Sequence, residues 1–139
     1  MAEVEEWDLV KLYSRAKKSE HYVEAVSLGY QMLEMIFVVL LTKTTVGRGG
    51  KPLDEGGVRK ADNLLAKAKL ALEHEFIDQA LFDELAEWNR SRRDIIHNMV
   101  AKNVTYEQVQ ACALKIGPLY FKVQSLFLTI TAGKPKSVG

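Results

Sequence analysis

The chain has 139 residues, 47% of them hydrophobic and 27% charged, with a formal net charge of +1. That profile fits one globular domain with a real core and excludes a disordered chain or a globally basic nucleic-acid binder. A single cysteine, Cys112, leaves no intrachain disulfide and no cysteine-built zinc site.

Residues 1–20 alternate acidic, basic and apolar positions, and the longest apolar run, 35–41, is far below the roughly 20 residues of a membrane span. A soluble cytoplasmic protein with no membrane partner is expected, and a lone thiol suits that reducing compartment. Charge is blocked along the chain. Residues 43–69 carry seven Lys or Arg against three acids, 73–87 carry six acids and no Lys or Arg, and 90–102 return to basic. Such polarity can hold a local anion site without a basic average.

Hydrophobic spacing is helical nearly throughout, so the fold class is all-α, an up-and-down bundle of about five helices in a single domain over 1–139. The core spans about 5–132 and a loose tail covers 133–139. The first helix covers about 3–18, with Trp7, Val10, Leu12 and Tyr13 on its apolar side. Ser19 is a good N-cap for a second helix over about 20–43. That helix carries two adjacent stripes, Tyr22, Val26, Gly29, Leu33, Ile36, Leu40 and Ala25, Leu28, Met32, Met35, Val39. A face this wide marks a central helix, or one that also serves a subunit interface.

The one substantial loop, 47–57, holds five Gly and Pro52. A third helix is expected over about 58–73 and a fourth over about 77–102. The fifth follows Thr105, which forms a capping box with Gln108. Its inward positions read Tyr106, Val109, Ala113, Ile116, Tyr120, Val123, Phe127 and Ile130, with a kink at Gly117–Pro118.

Several motifs fall away. In Gly47-Arg48-Gly49-Gly50-Lys51, Pro52 stands where a phosphate-binding loop needs Ser or Thr, and Thr45 replaces its first Gly. His74-Glu75 begins like a zinc-protease helix, yet Asp78 occupies the place of the second His. The scattered His and Cys suggest neither a metal nor any other cofactor.

What remains is the stretch 88–99. The apolar stripe of the fourth helix runs Leu81, Leu85, Trp88, Ile95, Met99, and the member missing from the spacing is Arg92. A guanidinium on an apolar stripe is costly unless it is paired, snorkels to water or faces a wet cleft. Asn89, Arg93 and His97 form an i, i+4 ladder, and Asp94 lies three residues before His97. An imidazole held by an acid or amide beside several guanidiniums suits phosphodiester chemistry, with His as general acid or base and Arg stabilising charge on phosphorus oxygens.

Arg92-Arg93-Asp94-Ile95-Ile96-His97 resembles the Arg-x4-6-His motif of the HEPN superfamily, small helical domains of prokaryotic toxin and defence systems. The likeness covers roughly residues 5–130, including the approach Leu64-Leu65 to Leu81, Leu85 and Trp88, but only the motif is specific. It implies a metal-independent endoribonuclease acting as a homodimer with a composite cleft. Arg92 and His97 would then be the catalytic pair. His97 would assist attack of the RNA 2′-hydroxyl on the adjacent phosphate, and Arg92 would bind that phosphate. Arg90, Arg93, Asn89, Asp94 and Asn98 are the candidate RNA- or phosphate-binding residues around them. With Arg93 as the key arginine instead, Asp94 matches the family's polar follower and the spacing is one short. Met99 stands where toxins controlled by a nucleotidyltransferase carry Tyr, although an antitoxin partner protein is still among the expectations. A non-catalytic module binding RNA, a nucleotide or a protein acid is the alternative. A purely structural partner using the broad face of the second helix is a third reading.

Overall fold

A computed structural model describes residues 6–43, 53–101 and 104–133. The expectations for Trp7, Phe127 and Ile130, for the stretch 47–51 and for the tail after 133 lie outside the described residues or side chains. The described chain is all-helical: α1 (Glu6–Lys18), α2 (Tyr22–Lys43), α3 (Glu55–Lys60), α4 (Leu64–Glu73), α5 (Gln79–Ala101) and α6 (Tyr106–Gly133).

α2 is the central helix and packs against α1, α6, α4 and α3. Both of its stripes are used within the protomer: Leu33, Phe37, Leu40 and Leu41 are fully buried, and Leu28 and Met35 pack at the margin. It is the one described helix long and apolar enough to cross a membrane, yet 56% of that window is buried inside the protein. The broad apolar face is therefore explained by four neighbours of the same chain.

Long-range hydrogen bonds fix the neighbours' register. The Tyr13 hydroxyl of α1 donates to the Ala113 carbonyl of α6 at 2.7 Å, and the Trp88 indole of α5 donates to the Cys112 carbonyl at 3.0 Å. Buried pairs of this kind each contribute about 1 kcal/mol. α6 runs through Gly117–Pro118 without ending. Pro118 withholds the N–H that the exposed Leu114 carbonyl would otherwise receive.

Helix ends account for most departures from the sequence reading. Ser19 does not start α2; it ends α1. The Glu20 N–H donates to Lys17, the His21 N–H donates to Ala16, and Glu20 has φ 62°. That is a Schellman closure with Glu in the left-handed position usually given to Gly. Glu75 (φ 63°) closes α4 in the same way, through its own N–H to Leu72 and the Phe76 N–H to Ala71. The expected third helix is two helices. Asp54 caps α3 through Gly57, so part of the expected Gly-rich loop is helical, and Asn63 caps α4 by accepting from the Ala66 N–H at 2.9 Å. The buried Lys67 secures the break, donating to the Ala61 carbonyl at 2.8 Å and to Glu34 of α2 at 3.1 Å. The Thr105–Gln108 capping box forms, with both reciprocal bonds made at 2.9 and 3.2 Å. Two expected core positions face water instead: Leu12 is 40% exposed and Tyr106 55%.

α2 crosses α6 closely at Gly29. A methyl there would collide with the Ile116 side chain, meeting its Cγ2 at 2.8 Å and Cδ1 closer still. In a free helix interior Ala would be preferred over Gly by roughly 0.5–1 kcal/mol. Here overpacking wins, so Gly29→Ala should lower stability in urea unfolding by about 1–3 kcal/mol. Ile116→Ala should then cost less in the Gly29→Ala background than in the wild type, because it removes the obstructing atoms. A neutral or stabilising Gly29→Ala would show that the crossing is looser than this.

Candidate functional site

α5 carries all the residues singled out around the Arg-x4-His motif, and it distributes them over three surfaces. It starts at Asp78, whose carboxylate accepts from the Leu81 N–H at 2.9 Å, and Leu81, Leu85 and Trp88 then anchor it in the core. Beyond Trp88 the helix loses that grip: Ile95 is half-buried and Met99 is 41% exposed. The motif lies on this less buried half.

Arg92 turns inward. It is half-buried, and its Cζ lies 4.0 Å from the centroid of the Tyr30 ring on α2. No carboxylate pairs with it among the described residues, and its buried Nε has no hydrogen-bond partner. The cost of partly burying the guanidinium is offset by an aromatic face, an interaction of about 0.5–2 kcal/mol. Tyr30 is itself fixed, because its hydroxyl accepts from the Leu64 N–H at 3.0 Å, at the start of α4. One turn before Arg92, the buried Asn89 leaves its Oδ1 without a partner.

A groove of about 190 Å³ opens where Arg92 meets Tyr30, between α2 and α5. Val23, Val26, Ile95, Ile96 and Met99 make its walls apolar. Ser27 and Gln31 add polar groups, and no acid lines it. A wider trough of about 900 Å³ shares Val23, Ser27 and Met99 with it and reaches Tyr106, with Glu20 and Glu24 in its lining.

His97 sits elsewhere. It is exposed, as are Arg90 and Arg93, and none of the three forms an ion pair among the described residues. At about 100° per residue, Arg93 and His97 lie roughly 40° apart and Arg90 roughly 20° beyond His97, so the three share one outward strip about 60° wide. Arg92 and His97 lie roughly 140° apart by the same measure. With Arg92 committed to Tyr30, the protomer does not bring that pair together.

Asp94 and Asn98 fall on the third surface. With Ser91, Gln108 and Lys115 they line a cleft of about 300 Å³ between α5 and α6. The expected support of His97 by Asp94 or by an Asn89–Arg93 ladder is not formed: Asp94 faces α6, and Asn89 is buried while Arg93 and His97 stand in solvent. Among the described residues no three His, Cys, Asp or Glu gather as metal ligands. Tyr30, Ser27 and Gln31 are site residues that the sequence reading missed. The available signal was the polar run Ser27, Gln31, Glu34, a seam at i, i+4, i+7 on an otherwise apolar helix.

Cys112 closes the inner side of the α5–α6 cleft. Burial pushes its thiol above the ordinary value of 9.0, against the opposing pull of Arg92, Lys115 and the Trp88 indole. Burial likewise raises Tyr13, partly opposed by the Gly117 backbone. Both groups are neutral in the folded and unfolded chain below the ordinary thiol value. Above it the unfolded chain ionises first, so stability is lost as the pH rises through these values. Alkylation of Cys112 by iodoacetamide at pH 8 should be slow in native buffer and should accelerate in step with unfolding as urea is added. Rapid labelling of the folded protein would contradict the burial of this thiol.

In comparisons with known proteins, no family model, curated protein or solved structure matches the chain.

Proposed function

We propose that the protein is an RNA-directed HEPN-type domain, a metal-independent endoribonuclease acting as a homodimer, in which His97 works with Arg93 rather than with Arg92. The observation that carries this reading is the outward strip of α5, where Arg90, Arg93 and His97 stand exposed and, among the described residues, without acidic partners. Uncompensated guanidiniums beside an imidazole attract a phosphodiester and can hold it against the ring.

The chemistry follows from the residue types. His97 takes the proton from a ribose 2′-hydroxyl as that oxygen attacks the adjacent phosphorus. The bond to the 5′-oxygen of the next nucleotide breaks, leaving a cyclic phosphate and a free 5′-hydroxyl after protonation of the leaving oxygen. Arg93, one helical turn away, stabilises the extra negative charge on the phosphorus oxygens, with Arg90 as a further phosphate contact. DNA lacks the attacking hydroxyl and is spared. The toxin or defence setting and an antitoxin partner are implied by the resemblance alone, and a cytoplasmic location is the expectation from the lone thiol Cys112. Homodimerisation, too, comes from the resemblance. Exposed apolar surface is available for it at Leu114 and Phe121, two helical turns apart on α6.

One observation favours a second reading, a binding module that does not cleave. Among the described residues no acid or amide orients the His97 imidazole, and a general base without an orienting partner is a weak catalyst. RNA contact through the same strip is retained in that case.

The test is incubation of total RNA with the protein in EDTA. Cleavage that survives the chelator, leaves cyclic-phosphate ends and falls by about 10²-fold or more in His97→Ala and in Arg93→Ala is the expected result. RNA bound but left intact would establish the binding module. A folded protein that neither binds nor cleaves RNA would overturn both readings.

A further inference from the structure

Arg92 and the α2–α5 groove play no part in the phosphodiester chemistry placed on the outward strip. Their own composition says what they fit. A flat guanidinium lies over a tyrosine ring at 4.0 Å, and both side chains line the groove. The remaining walls, Val23, Val26, Ile95, Ile96, Met99 and Val109, are apolar. Two neutral polar side chains are present: Ser27 with a hydroxyl and Gln31 with an amide, each able both to donate and to accept. With no acid in the lining the groove does not suit a cation, and with one guanidinium already engaged by Tyr30 it does not suit a polyanion. It suits a flat, apolar-faced group with donors and acceptors on its edge. The volume of about 190 Å³ is about six waters' share of liquid, the scale of one ring system rather than of a base pair.

We propose that this groove is a nucleobase subsite, in which one unpaired base of single-stranded RNA stacks against the Arg92–Tyr30 pair while Ser27 and Gln31 meet its edge. The inference rests on the RNA reading of the neighbouring strip. Proteins recognise single-stranded RNA by splaying bases onto aromatic rings and guanidinium planes and by hydrogen-bonding their edges. The groove and the strip border each other along α5. Ile96 lies roughly 40° around the helix from Arg92 and roughly 100° from His97, so a strand held at Arg93 and His97 can turn one base inward past Ile96. A duplex keeps its bases stacked and paired and is discriminated against by the same geometry. Arg92 thereby acquires a role in choosing the substrate, distinct from the charge stabilisation assigned to Arg93.

The test uses the full chain and a set of single-stranded RNA octamers, each lacking the base at one position, with binding measured by anisotropy in EDTA. His97→Ala protein is used so that the RNA stays intact. One position should stand out, its abasic form binding about five- to hundredfold more weakly than the intact octamer. Filling the groove with Ser27→Leu should erase that difference. It should leave the slope of affinity against salt unchanged, since a stacking contact releases no counterions. Circular dichroism and urea unfolding check that the variant folds, and Tyr30→Leu provides an independent disruption of the platform. Abasic and intact octamers binding alike at every position would overturn the subsite and leave the RNA-binding strip standing. If no octamer binds, adenosine and uridine titrated alone separate the two claims. Shifts in the Val26, Ile95 and Ile96 methyl resonances would uphold the groove against the strip, and their absence would overturn both.

Discussion

The contact between Arg92 and Tyr30 determines how the motif is displayed. Arg92 is the one charged residue on the buried stripe of α5, and it stays there because an aromatic face, not an acid, receives it. Tyr30 can serve because its hydroxyl is tied to the first turn of α4. One side-chain pair thus links α2, α4 and α5 and, with the buried Leu81, Leu85 and Trp88, sets the rotation of α5 about its own axis. That rotation sends Arg93 and His97 outward, Asp94 and Asn98 toward α6, and Asn89 inward. Turned by one residue in one sense, the helix would present Ser91, Asp94 and Asn98 outward, and the strip would lose its cations.

The charge blocks of the sequence have separate structural roles. Lys67, in the first basic block, is a buried tether between α4, Glu34 and the carbonyl at the α3–α4 break. In the acidic block, Glu84 holds Lys122 of α6 through both carboxylate oxygens at 2.7–2.8 Å. This pair is about half-exposed and worth little in stability. The acids precede the motif on the same helix, so α5 passes from a negative first half to a positive second half. A polyanion approaching α5 is steered toward the Arg90–His97 end.

The all-helical fold was legible because apolar residues recur at spacings of three and four along α2, α5 and α6 and no stretch alternates with period two. The central place of α2 followed from the width of its apolar face. What the sequence did not disclose was that four helices of the same chain pack on that face, so its width does not require a subunit interface. The expected helix ends at about 18 and 73 match α1 and α4, and what was misread was Ser19, because Glu20 in a left-handed position gives no glycine signal that the helix closes there. The split of the third helix was missed although Asn63 is a good cap, because the apolar spacing runs on across it. Arg92 was correctly marked as the exception on its stripe, but its partner was not visible. A cation–π contact between residues 62 positions apart leaves no pattern in either helix. For the same reason the two arginines looked interchangeable until their directions were known.

The most direct measurement is a double-mutant cycle between Tyr30 and Arg92, using Tyr30→Leu, Arg92→Met and the double variant in urea unfolding. A coupling energy of about 0.5–2 kcal/mol is the expected result, since each single change removes the same interaction. Additivity of the two changes to within about 0.3 kcal/mol would contradict it. It would mean that Arg92 does not rest on Tyr30, leaving it free to join His97 on the outer face.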